Sequence, residues 1–215
     1  WRLAVAAADC EMRFAPEKDY IVDVDAILDR VDQRTKIVFL ANPANPTGSC
    51  IPFSAVERLH RGLPAQTLLV LDGAYSEFAR AAPGFDAGLD LARVAPNVLM
   101  TRTFSKLYGL AGLRVGWGYG AADVIAALDR VRLPFNMTAP GQAAAIAALE
   151  DDDFADRSIG HVDREREKLV AFFDRLGVRS IPSFANFVTV VFDRAEQAKA
   201  IDAALTERGV LVRGL

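Results

Sequence analysis

Three apolar runs constrain this chain more than anything else in it: Lys36–Leu40, Thr67–Leu71 and Val98–Phe104. Each ends at chemistry. An Asn-Pro turn follows the first, Asp72 closes the second, and Lys106 stands just past the third. Helical spacing lies between the runs. In 53–63, Phe53, Val56 and Leu59 fall on one side, and Glu57, Arg58 and Arg61 on the other. Continuous apolar strands alternating with helices predict a parallel or mostly parallel sheet covered on both faces. Functional groups in such sheets gather at the strand carboxyl ends, where Asn45, Asp72 and Lys106 fall.

The remaining pattern is read the same way. Asp25–Val31 is a short amphipathic helix and Val115–Gly118 a further strand. Ala121–Arg132 is helical and closed by Pro134, and Pro140–Leu149 is an Ala-rich helix. Beyond the acidic run Asp151–Asp153, the spacing predicts a helix over Asp163–Leu176, a strand over Phe187–Phe192, and a helix over Ala195–Arg208 stopped by Gly209. A domain boundary is placed near Glu150. That makes 1–149 the central part of a large domain and 150–215 the first part of a smaller α+β domain.

The chain has 215 residues, 52% of them hydrophobic, so it can bury a substantial core. A formal charge of −3 gives no reason to expect nucleic-acid binding. No apolar run reaches membrane-spanning length and the start carries no signal peptide, so no membrane partner is expected. Cys10 and Cys50 make no disulfide framework and are expected as reduced thiols in a cytoplasmic protein. The chain begins at Trp1 and ends just after a strand-like stretch, so it is expected to be an internal segment of a longer protein.

The stretch from Thr101 to Trp117 carries the densest chemistry. Lys106 follows hydroxyls at Thr103 and Ser105 and is itself followed by Gly109, Gly112, Arg114 and Gly116. A lysine at a strand end, with hydroxyls before it and an arginine after it, suits an aldehyde cofactor that carries a phosphate. The amine forms a Schiff base, and the hydroxyls and guanidinium hold the phosphate. Each residue also has a plainer reading. Lys106 alone reads as a solvated surface lysine, and Asp72 before Gly73 as a turn aspartate. Tyr75 could be a half-buried tyrosine, Asn45 a turn residue, Thr103 a β-branched strand residue, and Arg114 a surface ion pair.

Three motifs in this order favour the functional readings, with the strand reading of Thr103 kept open: Asn42-Pro-Ala-Asn-Pro-Thr-Gly48, Asp72-Gly-Ala-Tyr75, and Ser105-Lys-Leu-Tyr-Gly-Leu-Ala-Gly-Leu-Arg-Val-Gly-Trp117. Together they resemble the fold-type I pyridoxal-phosphate aminotransferases, and the likeness covers essentially the whole chain. The wording of Arg102–Trp117, Pro182–Val190 and Arg208–Leu215 is similar to that of the histidinol-phosphate aminotransferase subfamily.

The resemblance implies a three-layer α/β/α large domain and pyridoxal 5'-phosphate as cofactor. It makes Lys106 the Schiff-base lysine and general acid/base. Asp72 would face the pyridine nitrogen, and Tyr75 and Asn45 the ring oxygen. Thr103, Ser105 and Arg114 would form the phosphate cup. Asn45 and Arg213 would contact substrate, with Arg213 on its phosphate. Asn186 matches a position near the substrate, Trp1 is not assigned the ring-stacking role, and a cis peptide is implied before Pro46. No metal is expected. The implied partners are an amino donor, a keto acid and a second copy of the chain. The implied reaction is amino transfer between L-histidinol phosphate and 2-oxoglutarate. An aromatic aminotransferase and a threonine-phosphate-type decarboxylase share the same motifs. An aminotransferase-like domain of a cofactor-sensing regulator is the reading from a different class. The substrate-carboxylate arginine and the N-terminal phosphate loop of the family have no counterpart in 1–215, so this segment alone is not expected to be a working enzyme.

Overall fold

A computed structural model describes residues 2–214; Trp1 and Leu215 lie outside the described residues. The chain opens with helix α1 (Arg2–Ala7), then α2 (Val24–Leu28), strand β1 (Ile37–Ala41) and helix α3 (Phe53–Gly62). Strand β2 (Leu68–Asp72) leads into a short 3-10 turn at Ser76–Ala79, helix α4 (Leu89–Val94) and strand β3 (Val98–Thr103). Strand β4 (Gly116–Gly120) follows, then helices α5 (Ala122–Val131), α6 (Ala139–Leu149) and α7 (Asp152–Arg175). Strands β5 (Arg179–Ser180) and β6 (Val190–Val191) precede helix α8 (Ala195–Glu207).

The main sheet runs β1-β2-β3-β4. β1, β2 and β3 are parallel, and β4 returns antiparallel to β3. Side chains alternate across a sheet, so one face collects Val38, Leu40, Leu69, Leu71, Val98 and Met100. Val24 of α2, Val56 and Leu59 of α3 and Ala92 of α4 close over that face. Leu59, Leu69, Val98 and Met100 are wholly buried, which explains why these runs read as near-continuous apolar. The parallel register sets Ala41 beside Asp72 and Asp72 beside Thr101, so the chemistry of three strands meets at one sheet edge.

Helix ends follow capping chemistry. Asp23 accepts from the amides of Asp25 and Ala26 at the start of α2, and Thr138 from Gly141 at the start of α6. α7 differs from expectation. It starts at Asp152, eleven residues before Asp163, because the Asp151 side chain caps the Phe154 amide at 2.9 Å. Ala155, Ile159 and Val162 then face inward at helical spacing and pack near Tyr75 and Leu107.

Two expected strands also differ. Of 187–192, only Val190 and Val191 pair, with β5. Upstream, the Ser183 hydroxyl accepts from the Ala185 amide and donates to the Phe187 carbonyl at 2.7 Å, bending the backbone out of extended form. Residues 210–212 form no strand among the described residues, where no neighbouring strand offers them a ladder. Helix α8 ends as expected, with Gly209 at φ +76°.

Candidate active site

The first wall is the loop after β1. Buried Asn42 donates from Nδ2 to the Ile51 carbonyl and accepts the Ile51 amide at Oδ1, both at 3.0 Å. One side chain thus stands in for a pair of ladder bonds and closes the loop. The Asn42–Pro43 and Asn45–Pro46 peptides are both cis, whereas the motif implied only the second. Gly48 sits at φ +77°, where a Cβ would come within 2.2 Å of Ser183 Oγ. The loop is held from outside as well. The Phe184 amide donates to the Gly48 carbonyl at 2.8 Å, and Thr189 Oγ1 donates to the Pro46 carbonyl. Asn45 is left exposed at the tip.

The second wall follows β2. Asp72 accepts the Ala74 amide at 3.1 Å, so the turn reading of this residue holds alongside any functional one. Burial raises the Asp72 carboxyl above its ordinary value, with the Ala74 amide opposing. Tyr75, 5% exposed, packs edge-on against Phe187 with ring centroids 5.3 Å apart. Asn45 Nδ2 donates to the Tyr75 hydroxyl at 2.8 Å. The phenol therefore receives one bond from Asn45 and keeps its own proton to donate elsewhere.

The third wall follows β3. Thr103 accepts the Ser105 amide at Oγ1, which turns the chain out of the strand. Lys106 then places Nζ 5.1 Å from the centroid of the Tyr75 ring. Gly109, at φ +67°, returns its amide to the Lys106 carbonyl. Arg114 adopts the left-handed region at φ +55°. Its Nη1 donates to the Ala111 carbonyl at 2.7 Å and reaches Ser105 Oγ at 3.5 Å. Its Nε and Nη2 have no hydrogen-bond partner among the described residues, so half of an exposed guanidinium fork is free beside a serine hydroxyl. A cleft of about 340 Å³ opens next to Lys106, lined also by Phe78, Phe154, Arg157, His161 and Asn186.

The fold thus brings together Asn45, Asp72, Tyr75, Thr103, Ser105, Lys106 and Arg114 along one end of the sheet. Of these, Lys106 lines the cleft, which it shares with Asn186. Arg213 is exposed beyond α8, with no hydrogen bond or ion pair to any of these groups among the described residues. Sequence reasoning missed two features. Asn42 is a loop clamp, signalled only by its place in the doubled Asn-Pro motif. The Glu77–Arg102 ion pair joins the second wall to the third at 3.0 Å, and its partners are 25 positions apart with no local signature.

The family model for aminotransferase class I and II matches residues 3–215. The chain belongs to that family. The histidinol-phosphate aminotransferase of Sphingopyxis alaskensis is 50% identical over 204 residues, covering 94% of this chain and 55% of that protein. Histidinol-phosphate aminotransferase 1 of Caulobacter vibrioides is 48% identical over 216 residues, covering 99% and 60%. Among solved structures, the histidinol-phosphate aminotransferase from Sinorhizobium meliloti in complex with pyridoxal-5'-phosphate superposes with a TM-score of 0.92 at 35% identity. It covers 100% of this chain and 59% of that one. The chain therefore spans between half and two thirds of the length of these relatives. The α/β architecture with its mostly parallel sheet is the fold-type I architecture of this aminotransferase family.

Proposed function

We propose that the full-length protein is a pyridoxal-phosphate-dependent aminotransferase that converts L-histidinol phosphate and 2-oxoglutarate to imidazole acetol phosphate and L-glutamate in histidine biosynthesis. The observation that carries this is the convergence of Lys106, the Asn45–Tyr75 pair and Asp72 from three separate strand ends. Likeness to histidinol-phosphate aminotransferases at 48–50% identity supports the substrate.

The donor set fits pyridoxal 5'-phosphate. The cofactor, when bound, supplies an electron sink for the carbanion that forms at the substrate's α-carbon. The chain's residues supply the rest. Lys106 would hold the cofactor through its aldehyde and would serve as the base that moves the proton at the substrate's α-carbon. Asp72 would face the ring nitrogen and, as a carboxylate, would keep that nitrogen protonated. Tyr75 would donate its hydroxyl proton to the ring oxygen, with that hydroxyl oriented by the Asn45 side chain. Arg114 and Ser105 present a cation and a hydroxyl to the phosphate. Thr103 is chiefly engaged in its own turn, which leaves it a lesser part in that cup. Arg213 is assigned to the substrate phosphate.

Residues 1–149 are assigned to the large cofactor domain and 150–215 to the start of the small one. The protein is read as a cytoplasmic homodimer, with an amino donor and a keto acid as its small-molecule partners. No helix among the described residues is long and apolar enough to cross a membrane. Sedimentation of the full-length protein at micromolar concentration checks the assembly, and a fully active monomer contradicts it. Lys106→Ala in the full-length protein checks the chemistry. It should abolish both turnover and the visible absorbance of bound cofactor, and normal transamination by that variant sinks the assignment.

A further inference from the structure

Behind the proposed cofactor walls lies a group that no reading of the motifs uses. Arg102 stands on β3, one residue before Thr103 and four before Lys106. Glu77 stands in the 3-10 turn, two residues after Tyr75. Arg102 Nη1 meets Glu77 Oε1 at 3.0 Å, and the side chains are only 17% and 15% exposed. Alternation along β3 puts Thr101 and Thr103 on the same sheet face as Asp72, and Arg102 on the opposite face with Met100. The pair therefore backs the site without facing it.

Local packing is built around this contact. The Gly73 amide donates to the Thr101 carbonyl at 2.9 Å, bringing the second wall against β3. Gly73 has no side chain to spare there. A Cβ would lie 3.0 Å from Arg102 Cδ, 3.1 Å from Arg102 Nε and 2.6 Å from Ser76 Oγ. Arg102 Nε and Ser76 Oγ are buried with no hydrogen-bond partner among the described residues. Glu77 is thus the main compensation for a guanidinium that is costly to bury. An apolar pair of similar volume generally stabilises such a location as well or better. Stability alone does not account for placing two charges there.

We propose that the Glu77–Arg102 pair is a positioning brace: it locks the Asp72–Tyr75 segment to β3 and so sets Asp72 and Tyr75 in register with Lys106. The inference rests on the cofactor reading above, since its purpose is the spacing of groups around one ring. Neither residue touches the reacting atoms. Arg102 acts through Thr103–Lys106, and Glu77 through Asp72–Tyr75. A charged pair suits this task because it is directional, whereas apolar contacts tolerate sliding along the strand.

The test uses the full-length protein with pyridoxal 5'-phosphate. Two variants are made, Glu77→Gln and the apolar double replacement Glu77→Leu with Arg102→Met. Three quantities are read: melting of the cofactor-free protein, the cofactor dissociation constant by fluorescence, and the pH midpoint of the bound cofactor's visible absorbance. The brace predicts that the double variant melts close to the parent. It should nevertheless bind cofactor about 10–100-fold more weakly, the range typical when an outer supporting partner is lost, and show a displaced midpoint. Glu77→Gln should displace the midpoint in the same direction by less. Folded variants with the parent's affinity and midpoint overturn the brace. So does an affinity loss in Glu77→Gln that only tracks a fall in melting temperature, which is decisive if the double variant fails to fold. Lys106→Ala in parallel separates the two readings. If it keeps the parent's visible absorbance, the cofactor assignment falls and the brace with it. If absorbance is lost while the Glu77 variants behave as the parent, the brace alone falls.

Discussion

At the scale of single residues, Asp72 shows how one side chain carries opposing demands. Burial raises its carboxyl above the ordinary value of 3.8. An acid raised in the folded state binds its proton more tightly when folded. Its favourable contribution is complete below about 3.8 and is lost as pH rises through the higher folded value. At neutral pH the cofactor-free protein therefore bears a cost at this position. Asp72→Asn is expected to raise the melting temperature of the cofactor-free full-length protein at pH 7, with the gain shrinking as the pH falls towards 4. The same change should slow transamination by roughly 10²–10⁴-fold, the usual range for acid–base and oriented electrostatic contributions. Calorimetry and steady-state rates on one preparation check both signs. Loss of stability together with near-normal rates would mark Asp72 as a turn residue only. Cys50 is governed by the same physics. Burial pushes its thiol up to about 12, while Cys10 is exposed.

At the scale of elements, the β3–β4 pair shows why the glycines after Lys106 are not interchangeable. A Cβ on Gly116 would stand 2.8 Å from the Arg102 carbonyl, and one on Gly120 would stand 2.9 Å from the Val98 carbonyl. These glycines let the antiparallel strand close against β3 and so hold the strand that leads to Lys106. Gly112 has no heavy atom within 4 Å of its would-be Cβ. Gly116→Ala is expected to cost about 1–3 kcal/mol, as overpacking against unyielding backbone does. Gly112→Ala should stay within about 0.5 kcal/mol of the parent. Denaturant melts of the two variants settle the contrast, and equal costs would refute it. The pattern showed that glycines recur here. Which one is sterically required depends on the distance to a neighbouring strand, and spacing along the chain does not carry that distance.

At the scale of the whole molecule, the segment after α7 is tied to the Asn-Pro loop. Phe184 and Thr189 bond the backbone of that loop, Arg166 of α7 donates to the Ala185 carbonyl at 3.0 Å, and Phe187 supports Tyr75. The cleft beside Lys106 takes one wall from α7 and Asn186. Under the proposed function, substrate selection becomes a property of how α7 and the segment after it meet the loops at the strand ends. Arg213→Ala tests the separate assignment of that residue to the substrate phosphate. An arginine fork on a phosphate makes charge-assisted bonds worth about 1.5–3 kcal/mol each. The variant should raise KM for histidinol phosphate roughly tenfold or more, while leaving a non-phosphorylated aromatic donor little changed. Equal effects on both substrates would remove Arg213 from the substrate site.

Sequence alone determined the strands that lead to Asn42, Asp72 and Lys106, because buried parallel strands demand unbroken apolar runs and turn residues at their ends. It also supplied the chemical types proposed for the site, since the three motifs are local. Three things needed the tertiary structure. The start of α7 depends on a cap at Asp151 and on an apolar face that is meaningful only against Tyr75 and Leu107. The bend that shortens the strand at 187–192 depends on one serine hydroxyl satisfying the backbone on both sides. The Glu77–Arg102 pair exists only because β2 and β3 run side by side. Each is a contact whose energy comes from a partner distant in the chain or from a single geometry, and neither propensity nor periodicity records such partners.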